Sequence, residues 1–382
     1  MNNLKFTFII ILIFCLACST NKKTNSSVTS PPITESDSEF IQLCIDSLAE
    51  NGIPSIAVAV IQPQMLHFNV SGQSKSVGGN QVGITSKYHL GSNSKAITSF
   101  IAFKLIQEGV LNLDIQLSEV YKDSSFLHSP YMDITLEQLL SHTANIQPFT
   151  SGIEFMSIPK FDGPINEKRK VFAKKVLELK PVKSDIDYNY SNAGYVIAAM
   201  LLELKTGKTY EELLDETLAE LQLDHYNGFP NKENIEYPWG HWMQGKELVP
   251  LDPDADYKLE DYMLPAGDIS MNIEDYAEFV QMNLNGLLGE NNYLNSENYY
   301  LMHFGKKNYS YGWRNYELEG RQESNHDGSV GTYYCHTIIS PDCRIAISIF
   351  INSALEDHVD AIYRLREILI NRYKDCTGIF RS

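Results

Sequence analysis

The chain has 382 residues, of which 43% are hydrophobic and 21% charged, and its formal net charge at pH 7 is −17. Strong negative charge without a basic stripe argues against nucleic-acid binding, because no basic surface is available to neutralise backbone phosphates. A chain of this length can bury a substantial core without the help of disulfides or metals.

The N-terminal segment is typical of an export signal. Lys5 precedes an apolar run from Phe6 to Ala17, which is about half the ~20 residues that a membrane-spanning helix needs. Because small Ala17 directly precedes Cys18, we expect residues 1–17 to be a lipoprotein signal peptide and Cys18 to carry the lipid. Ordinary signal cleavage without lipidation is the alternative. Residues 18–38 are too polar to pack and predict a disordered tether. The protein is therefore expected to be exported, to face the periplasm, and to reach the membrane only through this lipid anchor.

The folded domain, which we place at residues 39–382, opens with a helix and a hairpin. Ser36-x-x-Glu39 has the spacing of a helix capping box, and apolar residues follow it at helical intervals. Two β-rich runs, 55–61 and 65–70, are separated by three turn residues and predict a hairpin.

The middle of the chain is mostly helical, from Ser94 to about Gly207. Within it, Thr135-x-x-Gln138 is a second capping box and opens the short apolar segment Leu136–Leu140. We expect residues 96–240, approximately, to form a helical subdomain.

Strand character returns near the C-terminus. Asn272 is the expected N-cap of a helix, residues 332–339 and 345–351 predict a hairpin, and residues 357–374 predict a closing helix. The order of elements predicts an α+β fold, in which one antiparallel sheet is built from both ends of the chain and flanked by helices, with the helical subdomain inserted between.

Four cysteines follow the predicted lipidation site. Cys335 and Cys343 flank a predicted turn that would set Cys335 opposite a residue near Ile347, so these two are out of register for a disulfide. Cys44 and Cys376 lie in the first and last helices, where a bridge is possible but not favoured. The ligand spacings of common zinc sites are absent from the sequence, so neither a metal nor another cofactor is expected.

A first candidate for chemistry is Ser92-x-x-Lys95. A serine hydroxyl is a poor nucleophile until a base removes its proton. At a helix N-terminus Ser92 would meet backbone N–H groups and the positive end of the helix dipole. Lys95 lies on the same helix face, and a buried amine at this position would be neutral and able to act as the base. Alone, the pattern also fits a capped helix with a solvated lysine.

A second candidate lies in Tyr188–Tyr195, where polar, aromatic and small residues separate two helical stretches. Tyr190 can act as a general acid or base, and a cationic pocket would lower the pKa of its phenol. Asn192 can hydrogen-bond a substrate amide. The alternative is a tyrosine-rich core turn followed by an asparagine cap.

A third candidate, His326-Asp327-Gly328-Ser329, is expected to enter a strand. Gly328 would let a substrate backbone lie close along the strand edge. The main-chain N–H of Ser329 would complete an oxyanion hole. A plain strand-entry turn is the alternative.

Together the three motifs resemble the serine β-lactamase and penicillin-binding protein superfamily, in particular the branch of class C β-lactamases, DD-peptidases and esterases. Ile134–Thr143 looks like that branch's Thr-Leu-x-x-Leu-Leu-x-His-Thr stretch. Pro265–Met271 looks like its Pro-Ala-Gly-Gly-x-x-Ser segment, and the position of Tyr311-Gly312-Trp313 before the third motif also fits the branch.

The resemblance implies the fold and the roles of the candidate residues. Ser92 would be the acylated nucleophile, with Lys95 and Tyr190 handling its proton. Asn192 would position the substrate amide, and the backbone N–H groups of Ser92 and Ser329 would form the oxyanion hole.

Two departures from the branch's pattern bear on the substrate. His326-Asp327-Gly328 stands where the branch's β-lactamases have Lys-Thr-Gly, so a permanent positive charge is lost. Asp327 would repel a substrate carboxylate by roughly 4 kcal/mol at ~4 Å with an effective dielectric of ~20. We therefore expect weak binding of β-lactams and of D-Ala-D-Ala termini. Asn145-Ile146 replaces the usual Gly-Leu and is expected to alter only local conformation.

Three further segments have plainer interpretations. His142 is expected to be a structural loop histidine, and residues 252–261 a solvated acidic loop. Trp239-Gly240-His241-Trp242 lines the substrate cleft or, alternatively, packs in the core or on the surface.

The leading hypothesis is a monomeric serine hydrolase that acts through a Ser92 acyl-enzyme on a small peptide-like amide or ester, as a DD-peptidase, D-aminopeptidase or esterase. The alternatives are a class C-type β-lactamase and, outside the enzymes, a non-catalytic lipoprotein that binds cell wall or peptides.

Overall fold

The computed structural model describes residues 34–121, 131–150, 159–182 and 188–376, and the element bounds refer to that part of the chain. Its strands are β1 (Ser55–Gln62), β2 (Met65–Gly72), β3 (Tyr88–His89), β4 (Tyr226–Asn227), β5 (His241–Gln244), β6 (Glu247–Pro250), β7 (Ile269–Met271), β8 (Arg314–Leu318), β9 (Arg321–Ser329), β10 (Tyr334–Ser340) and β11 (Ile345–Ile351). Its helices are α1 (Glu35–Glu50), α2 (Ser94–Gln107), α3 (Leu117–Val120), α4 (Leu136–Leu140), α5 (Ile165–Leu177), α6 (Asn192–Thr206), α7 (Tyr210–Glu220), α8 (Pro230–Glu233), α9 (Leu264–Gly267), α10 (Ile273–Leu287), α11 (Ser296–Phe304) and α12 (Glu356–Tyr373). None of these helices is long and apolar enough to cross a membrane. The predicted signal peptide and Cys18 lie outside the described residues.

The main sheet has six antiparallel strands in the order β2-β1-β11-β10-β9-β8, so strands from both ends of the chain meet in it. Strand β1 is buried along its whole length, and its residues alternate between two cores. Val58 and Val60 face the core under α1 and α12, whereas Ala57 and Ala59 face the core of the helical block. The predicted α+β fold, with an antiparallel sheet covered by helices, is confirmed.

The first helix begins earlier than the sequence indicated. Asp37 accepts hydrogen bonds from both the backbone N–H and the hydroxyl of Thr34, at 2.9 and 2.7 Å. Thr34 and Asp37 therefore form the N-terminal cap in place of Ser36 and Glu39. Residues 35–38, predicted to belong to the disordered tether, are helical.

Other predicted element boundaries are confirmed. Gln138 N–H donates to Thr135 Oγ1 at 3.3 Å, and Asp275 N–H donates to Asn272 Oδ1 at 2.9 Å. The predicted N-terminal hairpin is β1–β2, and the predicted closing helix is α12.

The third motif was placed wrongly relative to its strand. His326–Ser329 does not enter a strand; it forms the last four residues of β9, which pairs with both β8 and β10. The sequence of β9 is almost entirely polar, so it lacks the alternation that reveals a half-buried strand. Buried polar side chains, among them Ser324 and His326, take the place of apolar ones because they find hydrogen-bond partners within the fold.

The predicted register of the C-terminal hairpin is wrong, and the disulfide in this region is one that the sequence did not indicate. Cys335 lies opposite Phe350, not near Ile347, because a 3₁₀ turn at Pro341–Cys343 moves the hairpin register. Cys343 forms a disulfide with Cys376, which excludes the considered Cys44–Cys376 bridge. Asp375 N–H donates to the carbonyl of Cys343 at 3.0 Å, so the chain that leaves α12 returns across this turn.

Candidate active site

Ser92 lies in the 3₁₀ turn Gly91–Asn93 that leads into α2, against the end of β9. Gly91 has a φ of 53°, and a Cβ there would lie 2.5 Å from the backbone nitrogen of Ser329. A Cβ on Gly328 would lie 1.9 Å from the carbonyl oxygen of Leu90. Gly328 therefore permits close contact between β9 and the Ser92 turn, and not with a substrate backbone as the sequence suggested.

Lys95 is fully buried and its amine meets three oxygen atoms. Nζ lies 2.5 Å from the carbonyl oxygen of Ala266, 2.6 Å from Asn192 Oδ1 and 3.2 Å from Ser92 Oγ. The first two oxygens can only accept, whereas the hydroxyl of Ser92 can also donate. A neutral amine that donates its two hydrogens to Ala266 and Asn192 therefore directs its lone pair at Ser92.

Burial favours the neutral form of this amine. Desolvation lowers the pKa of Lys95 well below its usual value, and the positive charge of Arg314 lowers it further. Arg314 follows directly after Tyr311-Gly312-Trp313, but no motif in the sequence connects it with Lys95.

Tyr190 is hydrogen-bonded to Ser92, but the state of its phenol differs from the expectation. Burial raises its pKa above the usual value, and the opposing effects of Ser92 and of Arg314 are smaller. The predicted lowering of the pKa is wrong, because desolvation of the phenolate outweighs the nearby positive charge. Tyr190 is therefore a proton donor in the resting site. The ring of His142 lies 4.3 Å from its ring, centroid to centroid.

Asn192 begins α6 and is held at both ends of its amide group. Oδ1 accepts from Lys95, and Nδ2 donates to the carbonyl of Phe149 at 2.9 Å. One amide hydrogen and one oxygen lone pair are left over for a ligand, since each end can make a second hydrogen bond.

His326 lies behind the site rather than in the cleft. Its Nδ1 is 3.2 Å from Asn93 Oδ1, and its Nε2 is 3.1 Å from the hydroxyl of Tyr309. Burial, together with the charges of Lys95 and Arg314, lowers its pKa to about 3, so the ring is neutral.

Asp327 points to the opposite face of β9, as strand alternation requires. Oδ1 accepts hydrogen bonds from His336 Nδ1 at 2.7 Å and from the hydroxyl of Tyr363 on α12 at 3.0 Å, while Oδ2 pairs with Arg314 at 3.4 Å. Burial alone would raise the pKa of Asp327, but these partners bring it below its usual value. Direct repulsion of a substrate carboxylate by Asp327 is therefore wrong.

A cavity of 380 Å³ opens over Ser92. The described residues that line it carry no charge; they are Ser92, Thr150, Tyr190, Asn192, Tyr257, Leu259, Met263, Ala266, Gly267, Ser329, Val330 and Gly331. Of the predicted site residues, the structure thus brings Ser92, Tyr190, Asn192 and Ser329 to the cavity.

Of the three segments with plainer interpretations, one supplies part of the cavity wall. Trp242 is not among its lining residues but packs edge-on against Tyr257, with ring centroids 5.6 Å apart. Tyr257 itself belongs to the acidic segment 252–261, which therefore supplies a wall and is more than a solvated loop. His142 is buried and accepts a hydrogen bond from the N–H of Ser191 at 3.2 Å, in keeping with a structural role.

Comparisons with known proteins match most of the chain. A family model described as Beta-lactamase matches residues 40–370. Protein flp of Staphylococcus aureus (strain MRSA252) is 23% identical over 258 residues, which are 66% of this chain and 50% of that protein. The chain therefore spans about half the length of such relatives. Penicillin-binding protein 4 of Amycolatopsis lactamdurans is 21% identical over 322 residues, covering 80% of this chain and 82% of that protein.

Solved structures share the fold. The octameric penicillin-binding protein homologue from Pyrococcus abyssi has a TM-score of 0.68 at 22% identity, covering 87% of this chain and 77% of its own. The D-amino acid amidase from Ochrobactrum anthropi SV3, complexed with L-phenylalanine, has a TM-score of 0.68 at 18% identity, covering 87% of this chain and 99% of its own.

Proposed function

The chain belongs to the Beta-lactamase family of serine hydrolases, and from this premise we propose that it hydrolyses a small, uncharged, peptide-like amide or ester through a Ser92 acyl-enzyme. The observation that carries the proposal is the set of contacts around Lys95. Two acceptor-only oxygens at 2.5 and 2.6 Å fix its hydrogens, and the remaining contact is the hydroxyl of Ser92. A non-catalytic binder would have no need for a buried amine aimed at a serine.

In the proposed acylation, neutral Lys95 takes the proton of Ser92 as Oγ attacks the substrate carbonyl carbon. The backbone N–H groups of Ser92 and Ser329 receive the negative oxygen that forms. Tyr190 gives its proton to the leaving amine or alcohol, and the Lys95 ammonium restores that proton. Water then attacks the acyl-enzyme, with the same groups moving protons in reverse.

The uncharged lining favours a substrate without a carboxylate next to the scissile bond. Arg314, whose guanidinium lies 5.9 Å from the ring centre of Tyr190, is already paired with Asp327. Weak binding of β-lactams and of D-Ala-D-Ala termini therefore remains our prediction, with a new reason. Asp327 neutralises the charge of Arg314 instead of repelling a substrate carboxylate. A class C-type β-lactamase is the alternative, favoured by the family match.

Covalent labelling tests the proposal. Purified protein is treated with a fluorophosphonate and, separately, with a fluorescent penicillin, and intact mass and peptide mapping locate the adducts. We expect a fluorophosphonate adduct on Ser92 that Ser92→Ala abolishes, and at most slow labelling by penicillin.

Lys95→Met should slow the fluorophosphonate reaction by at least ~100-fold, because a positioned general base contributes roughly that factor or more. Lys104→Met is the matched control, since Lys104 lies on the same helix but pairs with Glu220 at 2.8 Å. Rapid penicillin labelling with turnover would favour the β-lactamase, and no adduct with either reagent would favour the binding lipoprotein.

We also propose that the protein is exported and lipidated at Cys18. The Cys343–Cys376 disulfide supports export, because structural disulfides persist in oxidising compartments. Detergent phase partitioning of the protein expressed with its full N-terminus tests this. The wild type should enter the detergent phase and Cys18→Ala should not; partitioning of both into the aqueous phase would contradict lipidation.

A further inference from the structure

A buried histidine–aspartate pair lies directly behind the 3₁₀ turn that contains Ser92. His89, on β3, is 2.8 Å from Asp268 through Nε2 and Oδ1, and their side chains are 0% and 9% exposed. The other ring nitrogen, Nδ1, lies 3.1 Å from the backbone nitrogen of Gly91. Because a backbone N–H can only donate, Nδ1 must be the acceptor and Nε2 must carry the hydrogen that Asp268 receives. The carboxylate therefore fixes the tautomer that can hold Gly91.

The peptide group that joins Gly91 to Ser92 is held as well. The hydroxyl of Ser94 donates to the carbonyl of Gly91 at 2.8 Å and accepts from the N–H of Ile269 at 3.2 Å. In a trans peptide the C=O and the following N–H point in opposite directions. Holding the Gly91 carbonyl toward Ser94 therefore directs the N–H of Ser92 the other way, and that N–H is a proposed oxyanion donor.

Asp268 also lies next to the backbone that orients the base. It follows Gly267, which lines the cavity, and Ala266, whose carbonyl accepts from Lys95. Neither His89 nor Asp268 is among the described lining residues, so neither touches a substrate in the cavity.

We propose that His89 and Asp268 are positioning residues: they hold the N–H of Gly91 on one side of the turn, while Ser94 holds the carbonyl of Gly91 on the other. Together these contacts orient the N–H of Ser92 toward the negative oxygen of the tetrahedral intermediate. This inference rests on the proposed function. It concerns the hydrogen bond to Gly91, and not the packing of the imidazole against Phe229 and Tyr333, at ring distances of 4.8 and 5.9 Å.

Two isosteric variants separate the contacts of His89. The side-chain oxygen of His89→Asn can take the place of Nδ1 and accept from Gly91, but it loses Asp268. The amide of His89→Gln can take the place of Nε2 and donate to Asp268, but it offers Gly91 no acceptor. With p-nitrophenyl butyrate as substrate, His89→Gln should lower kcat about 100-fold, the size of effect seen when an oxyanion donor is lost, with KM changed less than threefold. His89→Asn should lose less than tenfold.

Asp268→Asn provides an independent check. Its amide can donate to Nε2, which moves the imidazole hydrogen to Nδ1 and sets two donors against each other at Gly91. We expect kcat to fall as in His89→Gln. Phenylboronic acid, which forms a tetrahedral adduct on serine, should bind more weakly in the same variants by a matching factor.

The possible results separate the proposed function from the positioning role of His89 and Asp268. If the wild type shows no turnover that Ser92→Ala abolishes, the proposed function fails and the positioning role fails with it. If the wild type is active but His89→Asn and His89→Gln lose kcat equally, or their losses follow their melting temperatures, the positioning role alone is overturned.

Discussion

At the scale of single residues, the proposed mechanism makes activity depend on the protonation of Lys95. Its pKa is depressed first by burial and then by Arg314. A base must be neutral to accept a proton, so activity should rise with pH as Lys95 loses its proton, and that rise should occur well below the usual range of a lysine.

Arg314→Gln tests this electrostatic link. Removing the positive charge stabilises the Lys95 ammonium, so the pKa of Lys95 rises and the acidic limb of kcat/KM moves to higher pH. At neutral pH the variant should therefore be slower, with its rate recovering in alkaline buffer. The profile of p-nitrophenyl butyrate hydrolysis between about pH 5 and 10 measures the shift.

Arg321→Gln, on the adjacent strand β9, is the control for Arg314→Gln, because Arg321 pairs with Glu319, and the pKa of Lys95 is set by burial and Arg314. If the acidic limb of the kcat/KM profile stays in place in Arg314→Gln, or moves to lower pH, the assignment of Lys95 as the base is contradicted.

Prediction from the sequence succeeds for residues whose relation is set by one helical segment. Ser92 and Lys95 are three positions apart across the 3₁₀ turn that leads into α2, so local helical geometry alone places them together. It failed for Asp327, because the direction of that side chain depends on the strand alternation of β9, and for Tyr190, because its pKa depends on burial by distant segments.

At the scale of elements, the end of β9 must fit against the Ser92 turn. Gly328→Ala would introduce a Cβ 1.9 Å from the carbonyl oxygen of Leu90, and 2.9 Å from the backbone nitrogen of Ser92. Backbone atoms cannot rotate away as a flexible side chain can, so the strand end and the turn must separate. We expect a loss of roughly 1–3 kcal/mol in the free energy of unfolding, and a larger proportional loss of activity.

Chemical unfolding and the rate of fluorophosphonate labelling measure the two effects of Gly328→Ala. Gly83→Ala is the matched control, since a Cβ there meets no atom within 4 Å. An active Gly328→Ala protein of wild-type stability would show that β9 does not need this close approach.

The elements themselves were predictable where one physical signal dominates. The apolar runs of β1 and β11 and the caps at Thr135 and Asn272 have the positions that the sequence indicated. Strand β9 was missed because its buried residues are polar and are stabilised by partners from other elements, which a local pattern does not contain.

At the scale of the whole molecule, the sheet separates the catalytic side from a second core. The helical block and Ser92 lie on one face, while α1 and α12 cover the other, with Ile362, Leu365 and Leu369 facing the sheet. The order of helices and strands predicted this arrangement, whereas the disulfide partner depended on the hairpin register and could not be predicted. The monomeric state remains a prediction.

The Cys343–Cys376 bridge should stabilise the fold without affecting the chemistry, because it ties the end of α12 to the turn after β10 on the face away from Ser92. The cysteines are 33 residues apart, and closing such a loop in the unfolded chain corresponds to about 3.7 kcal/mol. Cys343→Ala combined with Cys376→Ala should lower the free energy of unfolding by that order, while kcat changes less than twofold. Cys44→Ala, which removes a free thiol from α1, is the control and should leave both nearly unchanged. Urea unfolding followed by fluorescence gives the free energy of unfolding. A double variant as stable as Cys44→Ala would mean that the bridge does not constrain the unfolded chain. A large loss of kcat would mean that the two cores are coupled through the sheet.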